Sequence, residues 1–206
     1  RRLLVPVGGA GAQRNYLRDF VRGLAPRLSD GSLRLILNVG DHVHMKEAME
    51  DTLEFMGIEP AWVTSHAELV RFCEANALDG PEPEAAEHAA PVTLCAFDSH
   101  FEAFSATDLL QRVSDVLVTK PSELAFFPIP KLHIRRVGDH EAASAQRAAE
   151  LGCGTTERRS VEQGLRTVGL LCDDDRLFAT MNEAVAHNAE QGIYDGAKRA
   201  VQIALS

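Results

Sequence analysis

The chain has 206 residues and a formal net charge of −9, because 30 acidic side chains outnumber 21 basic ones. Its 45% hydrophobic and 25% charged residues are typical of a globular domain and argue against a disordered chain. The acidic balance argues against nucleic-acid binding, no apolar run reaches the ~20 residues of a membrane span, and no basic-then-apolar leader opens the sequence, so we expect a cytoplasmic protein.

The first half of the chain alternates short apolar runs with segments of helical spacing. A glycine-rich turn over residues 8–13 follows the first run, and residues 80–90 combine prolines and carboxylates with no large apolar residue. We predict that residues 80–90 form an exposed loop rather than a domain boundary. The predicted elements, in order, are strand 3–7, helix 16–28, strand 33–39, helix 44–56, strand 61–63 and helix 68–75.

The second half continues the alternation and then becomes helical. The predicted elements are strand 92–97, a helix to residue 113, strand 115–119, strand 132–134, helix 139–151, and helices from 160 to 205 with a break around 172–175. Gly152 suits the left-handed end of a helix. The cysteines are far apart and form no C-x-x-C pair, which predicts reduced core thiols rather than a zinc or redox site; they are Cys73, Cys95, Cys153 and Cys172.

Strands that alternate with helices predict an α/β fold with a Rossmann-like parallel sheet. We expect about six strands, helices on both faces and a helical C-terminus, all in one domain over residues 1–206. Parallel sheets bind ligands at the carboxyl ends of their strands. The segments directly after the strands are therefore where function is expected, namely residues 8–13, 40–44, 97–100, 119–123 and 135–141.

The turn after the first strand is a candidate anion site. Glycines let backbone N–H groups approach a phosphate, and the following helix points its positive end at the turn. The sequence lacks the third glycine of a dinucleotide fingerprint and the Gly-Lys-Ser/Thr of a Walker loop. The alternative is a plain tight turn between strand and helix. The candidate binding residues are Gly9, Ala10, Gly11 and Ala12.

A second candidate follows the fifth strand, at Thr119, Lys120, Pro121, Ser122 and Glu123. Pro121 suits the first turn of a helix, where its missing N–H would have no partner. Ser122 and the N–H groups of that turn could hold a phosphate, with Lys120 as a point charge. Glu123 could accept from ribose hydroxyls. The alternative is an ordinary helix start on the surface.

A third candidate is the segment Asp139, His140 and Glu141, which opens an alanine-rich helix. Its polar side chains could grip the hydroxyl groups of a sugar in the same crevice. The alternative is that Asp139 only caps the helix.

Three other clusters are interpreted without a catalytic or metal role. His42 and His44 occupy alternate positions but have no partner cluster, so a polar loop is favoured over a metal site. His100 stands near Asp98 without any nucleophile motif. The aspartates of residues 173–175 lack the glycine and distal glutamate of a calcium loop, which favours a helix cap or a solvated turn.

In this order, the post-strand segments resemble the donor-binding half of glycosyltransferases with two facing Rossmann-like domains, the GT-B fold. The peptidoglycan N-acetylglucosaminyl transferase and the diacylglycerol sugar transferases are the most similar types. Residues 8–12 (GGAGA) resemble their first glycine turn, and residues 92–121 resemble their base-binding strand, helix and "TKP" strand end. Residues 138–145 (GDHEAASA) and 148–152 (AAELG) resemble their "GDQxxNA" and "AELG" segments.

The resemblance implies a nucleotide diphosphate sugar, a UDP-sugar favoured, as the donor of a hexose or N-acetylhexosamine. The backbone near Phe97 would contact the base, the glycine turn with Lys120 and Ser122 the diphosphate, and residues 139–141 the sugar. No cofactor or metal is expected. The acceptor, a lipid or glycan reached at a membrane surface, and the catalytic base would belong to an N-terminal acceptor domain absent from this chain. The isolated chain would then be inactive.

Several features depart from the transferase pattern. Ser122 and Glu123 replace the family's glycines, the helix that follows is shortened, and His140 and Ser144 replace the usual Gln and Asn. Three alternatives therefore stay open: half of a sugar-nucleotide 2-epimerase, a non-catalytic domain of the same fold, and, least favoured, a nicotinamide-binding domain. Because the chain starts at Arg1 inside a strand-like run, we expect a fragment of a longer protein.

Overall fold

The computed structural model describes residues 1–7, 13–77 and 90–206, and of Glu123 the backbone alone. The predicted glycine turn at Gly9, Ala10, Gly11 and Ala12 lies outside these ranges, as does the predicted loop at 80–90 except for its last residue. Both therefore remain predictions.

The described residues contain one six-stranded sheet in which every neighbouring pair is parallel. This confirms the predicted α/β, Rossmann-like class. The strand order across the sheet is β3-β4-β2-β1-β5-β6. The strands are β1 (Arg2–Pro6), β2 (Arg34–Gly40), β3 (Ala61–Val63), β4 (Val92–Ala96), β5 (Val116–Thr119) and β6 (Lys131–His133).

Helices connect the strands and then form the C-terminal third of the chain. None of the helices in the described ranges is long and apolar enough to cross a membrane. The helices are α1 (Arg14–Gly23), α2 (Ala25–Ser29), α3 (Val43–Phe55), α4 (His66–Ala75), α5 (His100–Gln111), α6 (Ala142–Glu150), α7 (Val161–Asp173), α8 (Asp175–Glu190) and α9 (Gly196–Leu205).

The sheet separates two hydrophobic cores, because successive side chains of a strand point to opposite faces. Leu3 and Val5 pack into the larger core, together with Phe20 of α1. Leu4, between them in β1, packs into the smaller core with Leu110 of α5. Burial on both faces explains why the central strands read as continuous apolar runs rather than as alternating ones.

The topology brings the carboxyl ends of β1 and β5 side by side. From β1 the chain moves to β2 on one side, whereas from β4 it crosses to β5 on the other side of β1. The ends of β1 and β5 are therefore neighbours at a switch point, where open α/β sheets bind their ligands. Here "the carboxyl edge" means the segments that follow the strands at this end.

Most predicted boundaries agree with the structure, and the differences have local causes. The predicted helix 16–28 is divided into α1 and α2, because Pro26 in the first turn of α2 cannot donate the N–H that would continue α1. Helix α6 begins at Ala142, after a 3-10 turn over Asp139–Glu141. A second break in the C-terminal region, at Gly192 with φ +69°, was not predicted.

Two minor predictions were confirmed. Gly152 has φ +71° directly after α6, as expected for a helix end. Asp174 caps α8, because its carboxylate accepts from the N–H groups of Arg176 and Leu177. The cysteines are unpaired thiols, but only Cys95 and Cys153 are buried and the other two are half-buried.

Candidate functional site

An ion pair at the carboxyl edge joins the segment after β5 to the turn before α6, two segments that the sequence predicted at the same edge of the sheet. The Lys120 ammonium, after β5, forms an ion pair with the Glu141 carboxylate, in the turn before α6. The Glu141 side chain is 7% exposed and that of Lys120 is 24% exposed. The pair therefore has limited access to water, and its charges interact more strongly than surface charges do.

Glu141 also holds the backbone of its own turn. Its second carboxylate oxygen accepts from the N–H of Val137 at 2.8 Å and from the N–H of Gly138 at 3.3 Å. Burial raises the pKa of Glu141, but the hydrogen bonds from Lys120, Val137 and Gly138 outweigh it, and the net pKa is lowered. Glu141 is thus an ionised group that binds the two sides of the carboxyl edge together.

The predicted helix after β5 is a short 3-10 turn instead. It spans Glu123–Phe126, and the Ser122 hydroxyl accepts from Leu124 N–H at 3.4 Å as its cap. Pro121 lies before the cap, not in the first turn, which corrects the prediction. Pro128 disfavours helical torsions at the residue before it, so the turn cannot extend. A phosphate site here cannot draw on the dipole of a long helix.

The turn before α6 presents its remaining polar groups to solvent. The Asp139 side chain is 98% exposed and pairs with Arg136 at 2.9 Å, so Asp139 is not the helix cap that the alternative assigned to it. Gly138 takes the capping position. A Cβ at Gly138 would lie 2.6 Å from Cε1 of the His140 ring, so the ring covers the glycine and any side chain there would displace it.

Hydrogen bonds connect the start of α1 to the segments that follow β6 and α6. The Gln13 amide nitrogen donates to the Arg135 carbonyl, and the Tyr16 hydroxyl donates to the Arg158 carbonyl at 3.3 Å. Gln13 directly follows the predicted glycine turn, so the residue after that turn contacts the segment after β6. Arg136 is held from the other side by Glu157 at 2.8 Å.

Phe97 and Thr119 are buried, at 5% and 3% exposure. The Phe97 side chain packs into the smaller core, and its N–H donates to the Gly40 carbonyl at 2.9 Å. A contact from Phe97 to a base would therefore have to use its carbonyl. The Thr119 carbonyl accepts from Ile134 N–H at 2.9 Å, and its role in binding stays a prediction.

The sequence reasoning missed a histidine–aspartate cluster at the ends of β2 and β4. Asp41 lies 3.4 Å from Nδ1 of His100 and 3.8 Å from Nδ1 of His42. Asp98 is near His100 in the sequence, whereas Asp41 follows a different strand. The shared position of residues 41 and 100 after neighbouring strands was the available signal. Within the described residues, no group of three His, Cys, Asp or Glu side chains could hold a metal.

The sequence model of a protein family described as "Domain of unknown function (DUF6938)" matches residues 1–205. The chain belongs to this family. No curated protein matches the sequence.

Solved structures share the fold of this DUF6938 chain at low sequence identity. One is the UDP-GlcNAc 2-epimerase from Neisseria meningitidis bound to UDP-GlcNAc, with TM-score 0.58 and 10% identity over 100% of this chain and 44% of that one. A second is the S. aureus MnaA-UDP co-structure, with TM-score 0.54 and 14% identity over 96% and 46%. A third is a UDP-N-acetylglucosamine 2-epimerase, named putative, from Listeria monocytogenes, with TM-score 0.55 and 12% identity over 97% and 46%.

The chain spans less than half the length of these structures. The likeness therefore shows a fold of the GT-B-like Rossmann type that the resemblance implied, and two of the three structures named here are described as 2-epimerases.

Proposed function

We propose that residues 1–206 form the nucleotide-sugar-binding half of a two-domain enzyme, with a UDP-sugar as the favoured ligand at the carboxyl edge. The observation that carries the proposal is the meeting of Lys120 with the Val137–Glu141 turn beside the switch point. Its support is the shared fold: two neighbours that cover 96–100% of this chain are bound to UDP-GlcNAc or UDP.

Lys120 is the proposed diphosphate ligand. An ammonium carries three N–H donors, so Lys120 can hold Glu141 with one and offer others to phosphate oxygens. Because Glu141 has backbone donors of its own, it stays compensated when Lys120 turns toward a ligand. The predicted glycine turn, Gly9 to Ala12, would add backbone N–H groups, which suit a leaving diphosphate as it gains charge.

The exposed groups of the turn before α6 are the proposed sugar contacts. Asp139 and His140 face solvent and can exchange hydrogen bonds with hydroxyl groups. Glu141 has its oxygens engaged by Lys120, Val137 and Gly138. We therefore assign Glu141 to positioning the site rather than to contact with the sugar. Ser122 and Glu123 complete the proposed set toward phosphate and ribose.

Two reactions are carried forward, because different observations favour them. The order of the post-strand motifs favours sugar transfer to a lipid or glycan acceptor, with an acceptor domain outside this chain. The solved structures with the same fold favour 2-epimerisation. Inverting C2 breaks the C2–H bond, whereas transfer at C1 leaves it intact.

Ligand binding is tested by calorimetry with UDP, GDP, ADP and NAD. We expect UDP to bind most tightly. Lys120→Ala should weaken UDP about tenfold to a hundredfold, the range of a hydrogen bond to a charged group, and should change uridine binding little. Lys198→Ala, an exposed lysine of α9, is the matched control and should change neither.

The outcomes separate the candidates. If none of the four nucleotides binds, the proposed function fails and the non-catalytic alternative stands; equal losses for UDP and uridine would remove Lys120 from the diphosphate. With the full-length protein and a UDP-sugar in D₂O, deuterium at C2 indicates epimerisation, and acceptor-dependent release of UDP without deuterium indicates transfer.

A further inference from the structure

The first residue of β6 is a lysine inside the protein. Lys131 has 0% exposure, although a buried ammonium without an opposite charge is among the most costly groups in a fold. Within the part of the chain that the structure describes, no carboxylate pairs with it, and the centroid of the Tyr194 ring lies 5.9 Å from Nζ. Lys131 is therefore held by groups other than an ion pair.

The partners of Lys131 are a carbonyl and a thiol. Nζ donates to the Ile129 carbonyl at 2.8 Å and to Sγ of Cys153 at 3.5 Å. Burial lowers the pKa of Lys131, opposed only in part by Cys153. At a given pH, a larger fraction of Lys131 than of a surface lysine is therefore the neutral amine, which is the nucleophilic form.

The two side chains are held together by backbone pairing. The Lys131 N–H donates to the Cys153 carbonyl at 2.9 Å, and the Thr155 N–H donates to the Lys131 carbonyl at 3.0 Å. A Cβ at Gly154 would lie 3.4 Å from Cβ of Lys131 and 3.3 Å from Cε1 of His133, so His133 stands on the same side. Nε2 of His133 is buried without a partner among the described residues and is available as a proton acceptor.

We propose that Lys131 and Cys153 form an oxidative cross-link, a covalent N–O–S bridge, with molecular oxygen as the oxidant. One oxygen atom is inserted between Nζ and Sγ, and the other leaves as water: R–NH₂ + HS–R′ + O₂ gives R–NH–O–S–R′ + H₂O. The amine nitrogen and the thiol sulfur are oxidised while oxygen is reduced. This inference does not rest on the proposed nucleotide-sugar function.

The bridge would fix the position of β6, the outer strand of the sheet that leads into the turn before α6. It joins the start of β6 to the residue after Gly152, and β6 continues directly into residues 135–141. Reductant would reopen it, since a thiol can attack the bridging sulfur. The modification thus makes the stability of this edge respond to redox conditions.

Mass spectrometry of the air-oxidised protein tests the proposal. We expect an intact mass gain of about 14 Da, one oxygen gained and two hydrogens lost, and a linked peptide holding Lys131 and Cys153, both removed by dithiothreitol. The oxidised form should melt about 5–10 °C higher than the reduced form, because the bridge closes a chain loop.

Variants define the control. Cys95→Ser removes another fully buried thiol and should keep the bridge, whereas Cys153→Ser and Lys131→Met should lose it; circular dichroism establishes that each variant is folded. The wild-type protein decides the matter even if a variant does not fold. A Cys153 thiol that stays unmodified in air, or that oxidises to sulfenic or sulfinic acid while Lys131 stays unmodified, overturns the proposal.

Discussion

Two lysines of neighbouring strands, one after the end of β5 and one at the start of β6, have different partners and different access to water. Lys120 follows the carboxyl end of β5 and pairs with the ionised Glu141, whereas Lys131 begins β6 and faces a carbonyl and a thiol. The carboxyl end is partly open to water and satisfies its charges, so a ligand can compete for them. The amino end is closed, so its polar groups depend on one another and favour neutral forms.

Removal of the Glu141 carboxylate should cause the largest loss of stability at the carboxyl edge. Glu141→Ala leaves Lys120 and two backbone N–H groups without their acceptor, so we expect the free energy of unfolding to fall by about 1–3 kcal/mol. Asp139→Ala, two residues away and exposed, should change it little. Urea unfolding measures both; equal effects would show that Glu141 does not hold the turn.

Acid should affect β6 through His133, the buried last residue of that strand. Burial lowers the pKa of His133, the Thr155 carbonyl partly restores it, and Lys131 lowers it further. Below the ordinary histidine value of 6.5 the unfolded chain binds a proton that the folded chain resists. The contribution of neutral His133 to the free energy of unfolding is therefore fully present above that pH. It is lost as the pH falls toward the lowered pKa of the folded chain.

His133→Asn keeps a donor for the Thr155 carbonyl and should reduce the loss of stability that sets in as the pH falls below 6.5. His140→Asn, exposed in the turn before α6, is the control and should leave the wild-type slope. Chemical unfolding across this pH range compares them. A slope unchanged in His133→Asn would assign the acid sensitivity to other groups.

The smallest effects come from replacing each lysine by an isosteric apolar side chain. Lys131→Met removes a buried polar group, so the free energy of unfolding should stay constant or rise by about 1 kcal/mol. Lys120→Met removes a partly exposed partner of Glu141 and should lower it by up to about 1 kcal/mol. Thermal unfolding under reducing conditions gives the two signs, and the same sign for both variants would contradict the distinction.

The sequence predicted the fold well, because both-face burial leaves a strong periodic signal. All the predicted strands exist, and the alternation with helices gave the correct class. The errors lie where a proline interrupts the backbone hydrogen bonds of a predicted helix. Pro26 divides one helix in two, and the prolines after residue 127 limit the predicted helix at Ser122 to a 3-10 turn.

The site was predicted only as separate segments. Lys120 and Glu141 were both named, but their contact depends on the tertiary arrangement of β5 and the turn before α6. The pairing of Asp41 with His100 and of Lys131 with Cys153 likewise joins distant positions. Local motifs carry no information on such pairs, and only the strand order brings them together.

The two rims of the sheet differ in how they would meet another polypeptide. Outside β6, bridges at Lys131–Gly154 and Ile134–Arg158 lay the chain's own backbone along the strand. Outside β3, none of the described segments pairs, and half-exposed Trp62 lies under Lys46. Among the described residues, the outer backbone groups of β6 are thus covered by the chain itself, whereas β3 is kept short, at three residues, which limits the edge that it offers to an incoming strand.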